Sequence, residues 1–233
     1  MTGTVVLDRQ ETERGEIVLR RREGADGRPL YEIISNGCFL MASTNAHSAA
    51  ALARLGLEGL GERTGLRLLI AGLGIGYTLQ AALELPNVAQ VEVVEIEPLI
   101  VRWAGEYFAP VNGNALADPR VRLTVDDLLH YLSMTSGPYD AILLDIDNGP
   151  RWLVFEENAP VYDLPALQRM RDLLAPGGVL AVWAAERSPH FLATLRHLFP
   201  WADEQRVVEE VEGRLTEYFI YRARREAVVA LGG

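Results

Sequence analysis

The chain has 233 residues, 49% hydrophobic and 23% charged, and its 22 basic and 32 acidic side chains leave a net charge of −10. That length suits one α/β domain with a small appendage, and an acidic surface repels phosphate backbones, so no nucleic-acid partner is expected. A single cysteine (Cys38) excludes an internal disulfide and a multi-cysteine zinc site, four histidines without ligand spacing give no reason to expect a metal, and the absence of lysine excludes a lysine-bearing phosphate loop and Schiff-base chemistry.

The start, Met1 to Asp8, lacks the basic residues and apolar stretch of a signal peptide, and no apolar run reaches the ~20 residues of a membrane span. A cytoplasmic protein without a membrane partner is therefore expected. The first forty or so residues read as β. Glu16 to Arg22 alternate, Gly24 to Pro29 make a turn, Leu30 to Ile34 form a partner strand, and Asn36-Gly37 turn into Cys38 to Met41. Residues 1–42 are thus a small β-meander, and residues 43–233 a second unit. Ser43 or Thr44 can cap an alanine-rich helix from Ala46 to about Leu60. The basic runs Arg20 to Arg22 and Arg222 to Arg225 sit beside acids and read as solvated strand ends.

From Leu66 short apolar runs alternate with amphipathic segments. Strands are expected at Leu68–Ala71, Val91–Glu95, Val121–Val125, Ala141–Asp145 and Val179–Trp183. Helices are expected at Gly76–Leu85, Pro98–Phe108, Asp126–Leu132, Leu164–Leu174 and Pro189–Phe199. A hairpin over Arg206–Val211 and Leu215–Tyr221 closes the pattern. This alternation predicts a doubly wound, mostly parallel sheet with helices on both faces.

Four segments carry chemistry. In Leu68 to Tyr77 a strand runs into Gly72, Gly74 and Gly76, where a turn needs glycine and a nucleoside can approach without meeting a Cβ. The G-x-G-x-G spacing differs from that of dinucleotide sites and suits a nucleoside without pyrophosphate, such as adenosylmethionine. In Val93 to Pro98, Glu95 ends the second strand, where a carboxylate can accept from both ribose hydroxyls; Ile96 follows, and Glu97 reads as a helix cap. After the third strand, Asp126 and Asp127 divide helix capping and adenine recognition between them. After the fourth come Asp145, Asp147, Asn148 and Gly149, at the sheet edge where ligands bind. Asp145 is the candidate base for a nucleophile, Asp147 the second, and Asn148 a substrate contact. Asp147-Asn148-Gly149 is equally ordinary turn chemistry.

Together these residues resemble the spermidine synthase family of the adenosylmethionine-dependent methyltransferase superfamily. The likeness takes in the glycine loop, Glu95-Ile96-Glu97, Asp118-Pro119-Arg120-Val121, Asp126, Asp145 and Leu173 to Leu180, with the β-meander as that family's extra β unit. It implies a Rossmann-like methyltransferase fold, a cofactor held by the glycine loop, Glu95 and Asp126, and a carboxylate at Asp145 serving an amine. Ile75, however, stands where the family carries an Asp that helps hold the amine of decarboxylated adenosylmethionine. Leu40 replaces a Gln, Ala46 to Ala50 lack the family's Tyr-x-Glu, and Asp145 to Gly149 replace Asp-Ser-x-Asp-Pro. The expected activity is therefore methyl transfer from S-adenosylmethionine, giving S-adenosylhomocysteine, to a small nucleophile, an amine first of all. Aminopropyl transfer is the alternative, and a non-catalytic cofactor-binding scaffold the second. The meander either closes the site or builds a homodimer.

Overall fold

The computed structural model describes residues 3–24, 27–44, 46–211 and 213–227. Residues 25 and 26 of the expected turn, and 212 in the hairpin, lie outside the described residues. Two sheets carry the fold. The first is antiparallel, in the order β1 (Val5–Thr12), β2 (Gly15–Glu23), β3 (Pro29–Ser35), β4 (Cys38–Ala42). β1 is an edge strand exposed along most of its length, and its polar sequence carries no alternation.

Helix α1 (Ala46–Gly56) leads into a second sheet of seven strands. In chain order its elements are β5 (Leu66–Ala71), α2 (Tyr77–Leu83), β6 (Val88–Glu95), α3 (Pro98–Trp103), α4 (Ala109–Asn112), β7 (Val121–Val125), α5 (Leu128–Met134), β8 (Tyr139–Leu144), α6 (Leu164–Leu173), β9 (Leu174–Ala184), α7 (Pro189–Leu198), β10 (Trp201–Val211) and β11 (Arg214–Arg224). The order across the sheet is β10-β11-β9-β8-β5-β6-β7. Strands β9 to β7 run parallel and the β10–β11 hairpin antiparallel. The doubly wound expectation holds. The helix expected over Pro98–Phe108 is α-helical only to Trp103 and then widens into a π turn over Ala104–Phe108.

Alternate residues of the central strands feed opposite layers. Leu68, Ile70, Ala141, Leu143 and Ala181 face α1, α2, α3 and the N-terminal sheet. Leu69, Ala71, Ile142, Leu144 and Val182 face α5, α6 and α7. Both faces of β5 and β8 are covered, so their sequences are continuously apolar. Ile17, Leu19, Tyr31 and Ile33 of the first sheet join the first layer, with Tyr31 edge-on to Phe108 at 5.7 Å. Asp118-Pro119-Arg120 is a structural clasp. Arg120 bonds its own Asp118 at 2.8 Å and the Leu83 carbonyl at 2.9 Å, tying the end of α2 to the start of β7. No helix among the described residues is long and apolar enough to cross a membrane.

Candidate active site

Strand ends of the parallel sheet and the inner face of the N-terminal sheet enclose a cavity of about 160 Å³. Gly72, Glu95, Asp126 and Asp145, which follow or end β5, β6, β7 and β8, line it from below. Ile17, Ile33, Leu40 and Met41 line it from the N-terminal sheet.

Gly72, Gly74 and Gly76 all have positive φ, at 89°, 51° and 94°. What occupies their missing Cβ positions revises the sequence argument. A Cβ on Gly72 would stand 2.1 Å from the Asp145 carbonyl oxygen, one on Gly74 2.7 Å from Met41 Sδ, and one on Gly76 2.9 Å from Asn112 Nδ2. The glycines are required by the protein's own packing. Gly72 and Gly74 border the cavity; Gly76 does not, and serves as the N-cap position of α2. Ile75 is fully buried, its N–H donating to Met41 Sδ at 3.2 Å and its carbonyl accepting from Asn112 at 2.7 Å.

Glu95 is buried at 7% exposure. One carboxylate oxygen accepts from Leu73 N and the other from Glu97 N, both at 2.8 Å. Burial pushes its carboxyl above the usual range, against the lowering effect of the Leu73, Glu97 and Gly74 amides. A carboxylate has about four acceptor positions, so these bonds leave capacity for a ligand diol. Half-buried Ile96 also lines the cavity. Glu97 caps α3 through Leu99 N at 3.1 Å, as its sequence position predicts. The roles of the next acidic pair separate cleanly. Asp127 caps α5 by accepting from His130 N at 3.0 Å, while Asp126 pairs with the His130 ring at 2.8 Å, and both border the cavity.

Asp145 is held from three sides. Its N–H donates to Ala71 O at 2.8 Å, its carbonyl lies against Gly72, and its Oδ2 is 2.5 Å from Thr78 Oγ1. Burial raises its carboxyl to about 6, with Thr78 opposing. Thr78 Oγ1 also lies 3.1 Å from Ala49 O, and a hydroxyl has one proton. With Asp145 ionised the proton points to the carboxylate. With Asp145 neutral the acid donates to Thr78, which turns its own proton to Ala49 O. The contact thus serves both states of an acid that titrates near neutrality.

Asp147 differs. It sits at φ 55°, with Oδ1 accepting from Asn148 N and Val154 N at 2.8 and 2.7 Å, and Oδ2 from Phe155 N and Asn158 Nδ2 at 3.0 and 2.9 Å. Four donors fill the carboxylate, so it anchors the 147–158 loop and has no free lone pair for a nucleophile. Of the two sequence readings, turn chemistry describes it. Asn148, 9% exposed, borders the cavity, its carbonyl accepting from Ala185 N at 3.0 Å. Among the described residues no group of three His, Cys, Asp or Glu is arranged for a metal.

Several lining residues gave no sequence signal. Ser48 is completely buried in α1, and Trp183 lies on β9 one residue past the Leu144–Val182 pair, hence beside Asp145. Among the described residues Ser48 Oγ and Trp183 Nε1 have no hydrogen-bond partner. Glu209 of β10, itself 5% exposed, accepts from His47 N at 2.8 Å and Ser48 N at 3.2 Å, capping α1 from 162 and 161 residues away. Arg14 is the one cation in the lining, its guanidinium 4.4 Å above the Phe155 ring.

The model of the spermine/spermidine synthase domain family matches residues 55–194. Putrescine N-methyltransferase 3 of Nicotiana tabacum is 32% identical over 121 residues, 51% of this chain and 30% of that one. A polyamine aminopropyltransferase of Synechococcus sp. strain JA-3-3Ab is 29% identical over 136 residues, 55% of this chain and 44% of that one. The matched segment is thus under half of either relative's length. Among solved structures, a spermidine synthase in complex with the transition-state analogue AdoDATO superposes with a TM-score of 0.75 at 16% identity, covering 94% of this chain and 73% of that one. The spermidine synthase of Thermotoga maritima gives 0.73 at 16% identity, with 94% and 72% covered. These superpositions show the fold.

Proposed function

The chain belongs to the spermine/spermidine synthase family, and we propose that within it this protein is an S-adenosylmethionine-dependent methyltransferase acting on a small nucleophile, an amine first of all. The observation that carries the catalytic reading is Asp145, a half-buried acid raised to about 6, bonded to Thr78 and locked against Gly72. When bound, the cofactor supplies a methyl carbon made electrophilic by its sulfonium.

Glu95 would hold the ribose hydroxyls with the acceptor capacity left by Leu73 and Glu97, Ile96 and Asp126 would border the adenine, and the Gly72–Gly74 edge would carry the amino-acid end. Asp127 contributes through α5, whose start it fixes. Asp145, ionised at neutral pH, would accept an N–H of the neutral amine, aim its lone pair, and receive the proton as the N–C bond forms and the methyl–sulfur bond breaks, the thioether S-adenosylhomocysteine leaving. Thr78 stabilises that carboxylate before the transfer and the acid after it.

Methyl rather than aminopropyl transfer is supported by Ile75. Its side chain lies in the apolar core where the family places a carboxylate for the aminopropyl ammonium, and a buried cation without a partner is strongly disfavoured. The second reading, aminopropyl transfer from decarboxylated adenosylmethionine, draws on the aminopropyltransferase relatives. A competition assay between the two donors decides: adenosylmethionine should bind at least as well as its decarboxylated form. Clear preference for the decarboxylated donor, or methylthioadenosine as the nucleoside that copurifies, would reverse the assignment.

A further inference from the structure

One part of the cavity lining holds two side-chain polar atoms without a hydrogen-bond partner among the described residues, Ser48 Oγ and Trp183 Nε1. Three elements converge there: α1 with Ser48, β9 with Trp183, and the loop after β8 with Asn148. The loop is pressed onto β9, since a Cβ on Gly149 would stand 2.7 Å from Ala184 Cα. Thr78 bridges Asp145 to the Ala49 carbonyl, so Ser48, one residue earlier, belongs to the same wall as the proposed base. The main-chain amide of Ser48 is already taken by Glu209, which leaves its hydroxyl as the group without a partner.

An indole N–H only donates, and the Ser48 hydroxyl, in the same cavity lining, can donate too. A protonated amine also only donates, so an ammonium set against Trp183 Nε1 would leave both groups unsatisfied. An oxygen acceptor satisfies the indole N–H, and a carboxylate has a second oxygen to offer the hydroxyl. The described lining holds six carboxylates and one cation, Arg14, which has no ion pair among the described residues and stacks on Phe155 of the 147–158 loop, the loop that carries Asn148. Relying on the transferase reading above for the nucleophile alone, we propose that the acceptor substrate carries a carboxylate, bound by the Trp183 indole N–H and the Ser48 hydroxyl with Arg14 supplying the countercharge, so that it is an aminocarboxylate and not a diamine.

The cofactor's own carboxylate is the other source of the same chemistry, and the test separates the two. Calorimetry on the full chain saturated with S-adenosylhomocysteine would compare 4-aminobutyrate with 1,4-diaminobutane, and 5-aminovalerate with 1,5-diaminopentane. The aminocarboxylate of each pair should bind at least ten-fold more tightly. Trp183→Phe and Ser48→Ala should each weaken it roughly ten- to a hundred-fold, as loss of a hydrogen bond to a charged group does, with the affinity for adenosylmethionine unchanged. Equal or tighter binding of the diamines, or no binding of either class, overturns the proposal. So does weakened adenosylmethionine binding in Trp183→Phe, which would give the carboxylate to the cofactor. Because binding is read without turnover, the result stands apart from whether a methyl or an aminopropyl group is transferred.

Discussion

Glu95 ends β6 and Asp145 follows β8, on either side of β5; the first is buried and the second half-buried, both border one cavity, and the protein treats them in opposite ways. Glu95 receives main-chain amides on both oxygens, groups that cannot turn away. Asp145 receives a single hydroxyl that can reverse its proton. Fixed donors suit a carboxylate that holds a ligand in one charge state, and a reversible donor suits one that changes state during a reaction. Under the proposed assignment, the difference in supply, more than the difference in position, divides binding from chemistry.

That division is tested most severely at Asp145. Asp145→Asn keeps the shape and the Thr78 bond but removes the base. Turnover should fall by about 10²–10⁴-fold with adenosylmethionine binding little changed. In the native protein kcat/KM, expressed per neutral amine, should rise with pH to about 6, where Asp145 ionises, and then level. A variant with normal turnover and an unaltered pH profile would remove Asp145 from the chemistry.

The same residue makes a prediction about folding. Its carboxyl titrates at about 6 when folded against 3.8 for the free group, so the native state binds a proton more tightly than the unfolded chain. Its contribution therefore favours folding at low pH and is lost as pH rises from about 4 to about 6, amounting to about 3 kcal/mol above that. Asp145→Asn should be more stable than the parent by about that much at pH 7.5, and the gain should shrink towards pH 4 in denaturant titrations. A constant difference across pH would contradict the raised acid.

On the other carboxylate, Glu95→Ala should weaken adenosylmethionine and adenosylhomocysteine alike, by about ten- to a hundred-fold in calorimetry. A change confined to one of the two would mean that Glu95 contacts the transferred end and not the ribose. The smallest effect belongs to Glu97. Glu97→Ala removes one helix cap and should cost about 1 kcal/mol in thermal or denaturant unfolding, leaving cofactor affinity close to that of the parent.

Glu95 and Asp145 were readable because strand, turn and acid recur in a fixed order, and parallel topology forces strand ends into one crevice. Glu97 was readable from the proline after it. The glycines were readable as necessary, though for a reason the sequence hides: the atoms filling their Cβ positions come from Met41, Asn112 and Asp145, distant along the chain. Asp147 looked identical to Asp145 by spacing. Only the left-handed turn at 147 and the donors of the 148–158 loop convert it into an anchor. Ser48 and Trp183 sit in an alanine-rich helix and an apolar strand, where the pattern predicts core. Their unsatisfied atoms are products of tertiary placement and carry no local signature.

The cap that Glu209 places on α1 has a consequence for the order of assembly. It closes a loop of 162 residues, from β10 back to the first turn of the helix that carries Ser48. Loop-closure entropy disfavours such contacts early, while the local β5–α2–β6 pairings can form first. The wall facing Asp145 is then secured only after the β10–β11 hairpin has docked on β9. Under mild denaturation that wall should be released before the parallel sheet melts, and hydrogen exchange at His47 and Ser48 would report it. Losing the hairpin would leave a chain with the glycine-loop edge of its cavity assembled and the helix that carries Ser48 without its cap.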